Sequence, residues 1–415
     1  MKVRFWGTRG SIATPGPATL RYGGNTSCVE VRTDAGQVIL IDCGTGAHPL
    51  GQQLVAERKP CSGHILISHT HWDHIQGLPF FAPLFEEGNE WHIYGPRGLG
   101  QSLREVLAGQ MEYAYFPVTI NAFAAIVHFH EVVEGAIQIG DVRVTTQYLN
   151  HPALTVGYRI EADGAVLVYA SDHEPHNVEA AQGCGACAEG AEAEHVDFIS
   201  GADLLIHDAQ YTAAEFPAKV GWGHSTVEYV TDVALAGDVG HVVLFHHDPA
   251  RSDRAVDDLV RAAQARARAA GAELIVTGAA EGDTVELRGE RRFSPYAPSG
   301  LANPADDLSE ASVLLAGVKM EDRLILTAAA EADHISVVEE HRPAALKAAI
   351  QSERPAIVFL GDATPGADPV ALCRLLRAAD EGRDTPLIVV TDQARAGQGD
   401  EGDCVTDWLT RPYSL

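Results

Sequence analysis

Four metal-ligand side chains fall within six residues, His69-Thr70-His71-Trp72-Asp73-His74, one residue after the apolar run Ile65-Leu66-Ile67. A short apolar run bounded by polar residues reads as a buried strand, and residues just past its end are exposed while the strand holds them rigidly. In an extended turn the alternation lets His69 and His71 converge on one ion while Asp73 and His74 reach a second beside it. Imidazole and carboxylate donors suit Zn²⁺, Mn²⁺ or Fe²⁺ and leave positions open for water. A chain with this motif is thereby constrained to a sheet that presents its chemistry at strand ends.

The same arrangement recurs. Residues 3–5, 28–31 and 38–41 predict strands joined as hairpins, the third running into Asp42-Cys43-Gly44-Thr45-Gly46. Strands are expected again at 137–148, 156–160 and 165–169, with His151 and Asp172 just past strand ends. Residues 204–206 end in His207-Asp208, and 242–245 end in His246-His247-Asp248. Helices are expected at 99–111 and 255–270, the latter capped by Ser252 or Asp253 and stopped at Gly271. Another should follow Gly223-His224-Ser225-Thr226, where Ser225 and Glu228 have capping-box spacing. Tyr113, Tyr115, Phe116 and Phe123 read either as a lid over a pocket or as packing against the sheet. Cys28, Cys43 and Cys61 read as small apolar packing residues. Cys184-Gly185-Ala186-Cys187 has zinc or redox spacing but no second pair, which leaves a flexible insertion as the other reading.

At 415 residues the chain is long enough for two domains. Residues 288–310, rich in Arg, Pro, Ser and Asp, read as a linker between a domain at 1–287 and a second at 311–415. In the second, short apolar strands at 313–315, 335–338, 357–360 and 387–390 alternate with helical stretches, the pattern of a parallel sheet. The net charge of -27 opposes nucleic acids and anionic membranes, so it disfavours a polymeric polyanion and leaves a small anionic substrate drawn in by metal ions. Apolar runs stay well short of the ~20 residues of a membrane span. Seven thinly spread cysteines argue against a disulfide framework, and the first residues alternate like a strand rather than a secretory signal. The expectation is a cytoplasmic protein.

The H-x-H-x-D-H spacing after a strand resembles the metallo-β-lactamase-fold hydrolases, over about residues 1–290. The resemblance implies an α/β fold, an αββα sandwich, and two divalent ions, Zn²⁺ foremost with Mn²⁺ or Fe²⁺ as alternatives. By correspondence, His69, His71 and His151 hold one ion, Asp73 and His74 hold the second with His246, and Asp172 bridges. His247 is the alternative last ligand, and Asp42 corresponds to an acid that orients a ligand.

Gly7-Thr8, Asn25-Thr26-Ser27, Ile206-His207-Asp208-Ala209 and Gly223-His224-Ser225-Thr226 further resemble the branch containing ribonuclease Z and smaller cyclic-phosphate phosphodiesterases. This implies catalytic roles for Asp73, His224 and Asp208. Asp73 or Asp172 would accept a proton from water, and His224, supported by Asp208, would protonate or stabilise the leaving oxygen. His173 and His207 are expected to neighbour the site. The Gly-rich basic arm of ribonuclease Z has no counterpart here, which favours a small phosphodiester or cyclic nucleotide. Lactone or thioester hydrolysis, and a non-catalytic ligand-binding signalling role, are the competing readings.

Residues 311–415 resemble a response-regulator receiver, a flavodoxin-like fold, on Pro365-Gly366, Thr391 and Arg411-Pro412-Tyr413-Ser414. The acidic pair is replaced around Ala316-Gly317, Gly361 stands at the phospho-acceptor position with Asp362 one place off, and Arg411 replaces the usual Lys. Without that acidic pocket there is no Mg²⁺ site. The resemblance implies a pseudo-receiver used for homodimerisation or docking of a signalling partner.

Overall fold

The computed structural model describes residues 1–57, 60–97, 100–183, 190–289 and, within 312–410, chiefly the strands and the helix named below. The Cys184–Cys187 pair, residues 290–311, Asp362, Pro365-Gly366 and 411–415 lie outside the described residues. Contacts divide the chain into two units, Met1–Leu301 and Ala302–Leu415.

The first unit is an αββα sandwich. Its strands in chain order are β1 (Lys2–Gly7), β2 (Cys28–Arg32), β3 (Val38–Ile41), β4 (Ser62–Leu66), β5 (Glu90–Pro96), β6 (Ile126–Val132), β7 (Gly135–Ile139), β8 (Val142–Leu149), β9 (Thr155–Ala162), β10 (Ala165–Ala170), β11 (Leu204–Asp208), β12 (His241–Phe245), β13 (Ile275–Gly278) and β14 (Thr284–Glu286). One sheet has the order β14-β1-β2-β3-β4-β5-β6 and the other β13-β12-β11-β10-β9-β8-β7. Their inner faces share one apolar core that includes Phe5, Ile41, Leu66, Tyr158, Tyr169 and Phe245. Helices Ala47–Glu57 and Leu103–Gly109 cover the first sheet, while Val227–Ala236 and Asp253–Ala269 cover the second. Strands covered on both faces lose the apolar-polar alternation, and β10 is buried at every position.

Local expectations met some corrections. Residues 137–148 form not one strand but the hairpin of β7 and β8. The helix expected from residue 99 begins at Leu103, where Ser102 and Glu105 form a capping box. Thr226, not Ser225, caps the helix Val227–Ala236 by accepting from the Tyr229 N–H. Ser225 instead donates to the His173 carbonyl, and Glu228 accepts from the Ala213 N–H, because both side chains are claimed by neighbouring loops. Ser252 caps Asp253–Ala269. Of the four aromatics, Tyr113 and Tyr115 are 85% and 78% exposed while Phe116 and Phe123 pack against the helix-covered core. Cys28, Cys43 and Cys61 are buried, and burial pushes the Cys28 and Cys43 thiols up.

The second unit holds β15 (Ser312–Ala316), β16 (Ser336–Glu339), β17 (Ile357–Gly361), β18 (Leu387–Thr391) and β19 (Asp407–Thr410), with a helix at Pro343–Glu353. All four pairings are parallel in the order β16-β15-β17-β18-β19, which is the flavodoxin-like strand order. A Cβ on Gly361 would lie 2.4 Å from the Gly317 carbonyl oxygen. Two chain segments meet there, which leaves no room for a side chain at position 361.

Candidate metal centre and active site

The site forms where strand ends of both sheets meet. Asp42 follows β3, His69 to His74 follow β4, His151 follows β8, Asp172 follows β10, Asp208 ends β11 and His246 follows β12. Parallel pairing of β10, β11 and β12 aligns three of these ends, because it sets Ala170 opposite His207 and Asp208 opposite Phe245. The motif itself is not wholly extended. His71 is the N-cap of a single helical turn, Trp72–Ile75, which carries Asp73 and His74 inward and leaves Trp72 76% exposed. Asp42, Asp172 and His246 have φ of 59°, 59° and 56°, as does Ser11 at 62°. Left-handed backbone is uncommon outside glycine, and four of the six non-glycine cases among the described residues fall at this site.

Candidate ligand atoms fall into overlapping groups, of which two share no member, while another joins Asp172 and His246 to Asp208 and His224. His69, His71 and His151 form one, with His151 Nε2 3.1 Å from His71 Nδ1. Asp73, His74 and His246 form the other, with His246 Nε2 3.0 Å from Asp73 Oδ2 and 3.3 Å from His74 Nε2. Asp172 lies between them. Its Oδ1 is 3.2 Å from His74 Nε2 and 3.4 Å from His246 Nε2, and its Oδ2 is 3.7 Å from His69 Nε2 and 3.9 Å from His151 Nε2.

Behind this layer, further groups orient the rings. His74 Nδ1 is 2.7 Å from Asp42 Oδ2, an oxygen that also accepts from the Tyr169 hydroxyl at 2.6 Å. The Ser68 backbone N–H and hydroxyl both donate to Asp42. His151 Nδ1 donates to the Gly223 carbonyl at 3.0 Å, and His246 Nδ1 to Gln210 Oε1 at 2.9 Å. The Ser11 backbone N–H reaches Asp73 Oδ2 at 2.7 Å. Ser11, Tyr169 and Gln210 were not singled out in the sequence, because their contacts reach across the fold and leave no local pattern. His247 turns away, its Nε2 2.9 Å from the Ala279 carbonyl. His173 and His207 lie in a buried group with His195, outside the two ligand sets.

The electrostatics fit divalent cations. Asp42, Asp73, Asp172 and Asp208 are all buried, so four carboxyl groups are gathered away from water. Burial opposes ionisation of Asp73 and Asp172, yet the facing histidines hold both carboxyls well below the usual range. Burial also opposes a charge on His74, but Asp172, Asp73 and Asp42 push it well above 6.5. Burial, with neighbouring imidazoles, keeps His69 low and holds His151 down to about 4, so both present neutral rings. His69 Nε2 is buried without a hydrogen-bond partner among the described residues, an orphan that faces the ligand sets and that a metal ion would satisfy.

Beside these sets, His224 Nδ1 lies 2.7 Å from Asp208 Oδ2 and 3.9 Å from Asp172 Oδ2. A carboxylate can only accept there, so Nδ1 carries a proton and Nε2 is the free edge. Burial lowers the charge of this ring, but Asp208, then Asp172 and Asp73, push it up to about 9.

Comparisons with known proteins agree with this architecture. Residues 37–247, about half of the chain, match the family described as the beta-lactamase superfamily domain. Ribonuclease Z of Lactococcus lactis subsp. lactis is 26% identical over 307 residues, covering 64% of this chain and 94% of that protein. Ribonuclease BN of Cronobacter sakazakii is 25% identical over 287 residues, covering 59% and 88%. The solved metallo-beta-lactamase fold protein YhfI from Bacillus subtilis aligns with a TM-score of 0.50 at 18% identity, over 69% of this chain and 99% of that one, a likeness of fold. The two-sheet sandwich, the strand-end cluster of histidines and aspartates and the matched family together mean that this chain belongs to the beta-lactamase superfamily, as a metallo-β-lactamase-fold hydrolase.

Proposed function

We propose that the protein is a dinuclear-metal-dependent phosphodiesterase acting on a small phosphodiester or cyclic nucleotide. His69, His71 and His151 would hold one ion and Asp73, His74 and His246 the other, with Asp172 shared between the two sets; Zn²⁺ suits this nitrogen-rich donor set best. Two such ions supply Lewis acidity, lowering the pKa of water and offsetting charge on the phosphoryl oxygens. The observation that carries the assignment is the Asp208–His224 pair beside the two ligand sets.

In this reading water adds to phosphorus and the bond to the leaving oxygen breaks. Asp73 keeps Oδ2 on the Ser11 N–H, and its other oxygen takes the proton released by the water. His224 Nε2 gives its proton to the departing oxygen, and Asp208 stabilises the charge of the ring and fixes its tautomer. The hydrogen-bonded Asp208 carboxylate favours the protonated form of this ring.

RNA is the second reading, supported by the relatives named ribonuclease Z. The net charge of -27 weighs against it. Among the described residues no helix is long and apolar enough to cross a membrane. For the second unit we propose a pseudo-receiver that pairs copies or docks a signalling partner, supported by the strand order and the closed Gly361 position.

Metal-loaded protein should hydrolyse a nitrophenyl phosphodiester or a cyclic nucleotide and leave a β-lactam, a lactone and a glutathione thioester intact. Cleavage of a structured RNA in preference to the small diesters would replace the first reading by the second. Inertness to every phosphodiester would refute both.

A further inference from the structure

A second histidine group lies across three neighbouring strands of the first sheet, β4, β5 and β6. Parallel pairing of β4, β5 and β6 places His64 opposite His92 and His92 opposite His128, with Tyr94 opposite His130 two residues on. Each of these histidines in the row is the third residue of its strand, whereas the motif begins beyond the last residue of β4. Five residues separate His64 from His69, about 16 Å along an extended chain. The rings stack across the sheet at 5.2 Å for His64 and His92 and 4.6 Å for His92 and His128.

The polar edges of these rings converge. His128 Nε2 is 3.1 Å and His92 Nε2 3.6 Å from Glu90 Oε1, and the ligand atoms of Glu90, His92 and His128 all lie within 4.8 Å of one another. His92 Nδ1 is 3.0 Å from His130 Nε2, so two ring nitrogens share one proton. With that proton on His92 Nδ1, the ring donates to His130 and turns the lone pair of Nε2 toward Glu90. This is how a ligand imidazole is usually held, one nitrogen anchored and the other free for the ion. His130 is kept low by burial and by His92 and His128, which suits it to accept. The group is only partly covered, so an ion has access and room for water ligands.

We propose that Glu90, His92 and His128 form a binding site for a divalent transition-metal ion of the Zn²⁺, Ni²⁺ or Cu²⁺ class, separate from the hydrolytic centre. Two imidazoles and one carboxylate match the preference of these ions, and three donors leave exchangeable positions, as for a regulatory or delivered ion. The site does not depend on the phosphodiesterase assignment.

The test is metal stoichiometry of the full chain, stripped with chelator and dialysed against buffered Zn²⁺, with bound metal counted by mass spectrometry. The His92→Ala/His128→Ala variant should bind one equivalent less than wild type, and His69→Ala/His71→Ala should retain that equivalent. Glu90→Gln, which keeps the ring stack, should weaken the same equivalent by about tenfold or more. Thermal melts identify a variant that fails to fold, in which case Glu90→Gln decides. Equal stoichiometry and affinity in wild type and the ring-edge variants would overturn the proposal.

Discussion

Asp208 and His224, sixteen residues apart, meet at 2.7 Å through Oδ2 and Nδ1, and the other Asp208 oxygen is occupied by the Gln210 N–H at 2.9 Å. The carboxylate is therefore fixed before it fixes the imidazole. Replacing Asp208 by Asn should lower kcat on a phosphodiester by about 10²-fold with metal content unchanged. His224→Ala should cost about 10²–10⁴-fold, most steeply for substrates with a poor leaving group. Steady-state kinetics with nitrophenyl and alkyl diesters, alongside metal analysis, would check both; equal losses for the two leaving groups would remove His224 from the role of proton donor.

Metal removal should destabilise as well as inactivate. Ions that bind the native state alone stabilise by about 4 kcal/mol each at a thousandfold excess over Kd, and a unit of this size shifts by about 2–4 °C per kcal/mol. Chelation should lower the melting temperature of the first unit by more than about 10 °C, and His69→Ala should abolish most of that dependence. Differential scanning calorimetry with and without chelator would measure it.

Tyr169 donates to Asp42, which holds His74, so the hydroxyl acts on the candidate metal centre through two contacts. Tyr169→Phe should weaken metal binding about 10–100-fold and cost about 1–3 kcal/mol of stability, with the fold retained. A metal-competition titration with a chromophoric chelator would read the first effect and urea unfolding the second.

Gly223 has φ +84°, and a Cβ there would lie 2.0 Å from His151 Nδ1. Gly223→Ala should therefore cost about 1–3 kcal/mol in backbone strain and displace the His151 ring. Loss of one metal equivalent, with a lowered urea midpoint, is the expected result.

His247 is fully buried and held down to about 3, first by burial, with its Nε2 on the Ala279 carbonyl. A histidine depressed in the native state stabilises fully above its unfolded pKa near 6.5 and loses that contribution as pH falls towards 3. Between those values it should add up to ~1.4 kcal/mol per pH unit to the acid dependence of unfolding. Urea midpoints from pH 7 to pH 4 should fall less steeply for His247→Asn than for wild type.

The candidate ligand residues stand out because the motif packs four donors into six residues and because strand ends announce themselves as apolar runs broken by polar ones. The structure gathers all seven ligand candidates with His224 and Asp208. β5 and β6 escaped the sequence reading, since both carry half-exposed polar residues, including His92, His128 and His130, that blur an apolar pattern. The fifth parallel strand, Asp407–Thr410, was too short to stand out.

The sequence by itself determined the candidate donors of the His69–His74 motif, the strand-to-loop setting of the chemistry and the parallel character of the second unit, since each is written in neighbouring residues. Only the tertiary structure decided which donor faces which. It gave His74 and His246, 172 residues apart, a nitrogen separation of 3.3 Å, set Tyr169 on Asp42 and turned His247 away from the centre. The left-handed backbone at Asp42, Asp172 and His246 belongs to this second class, for strain of that kind persists only when packing across the two sheets holds it in place.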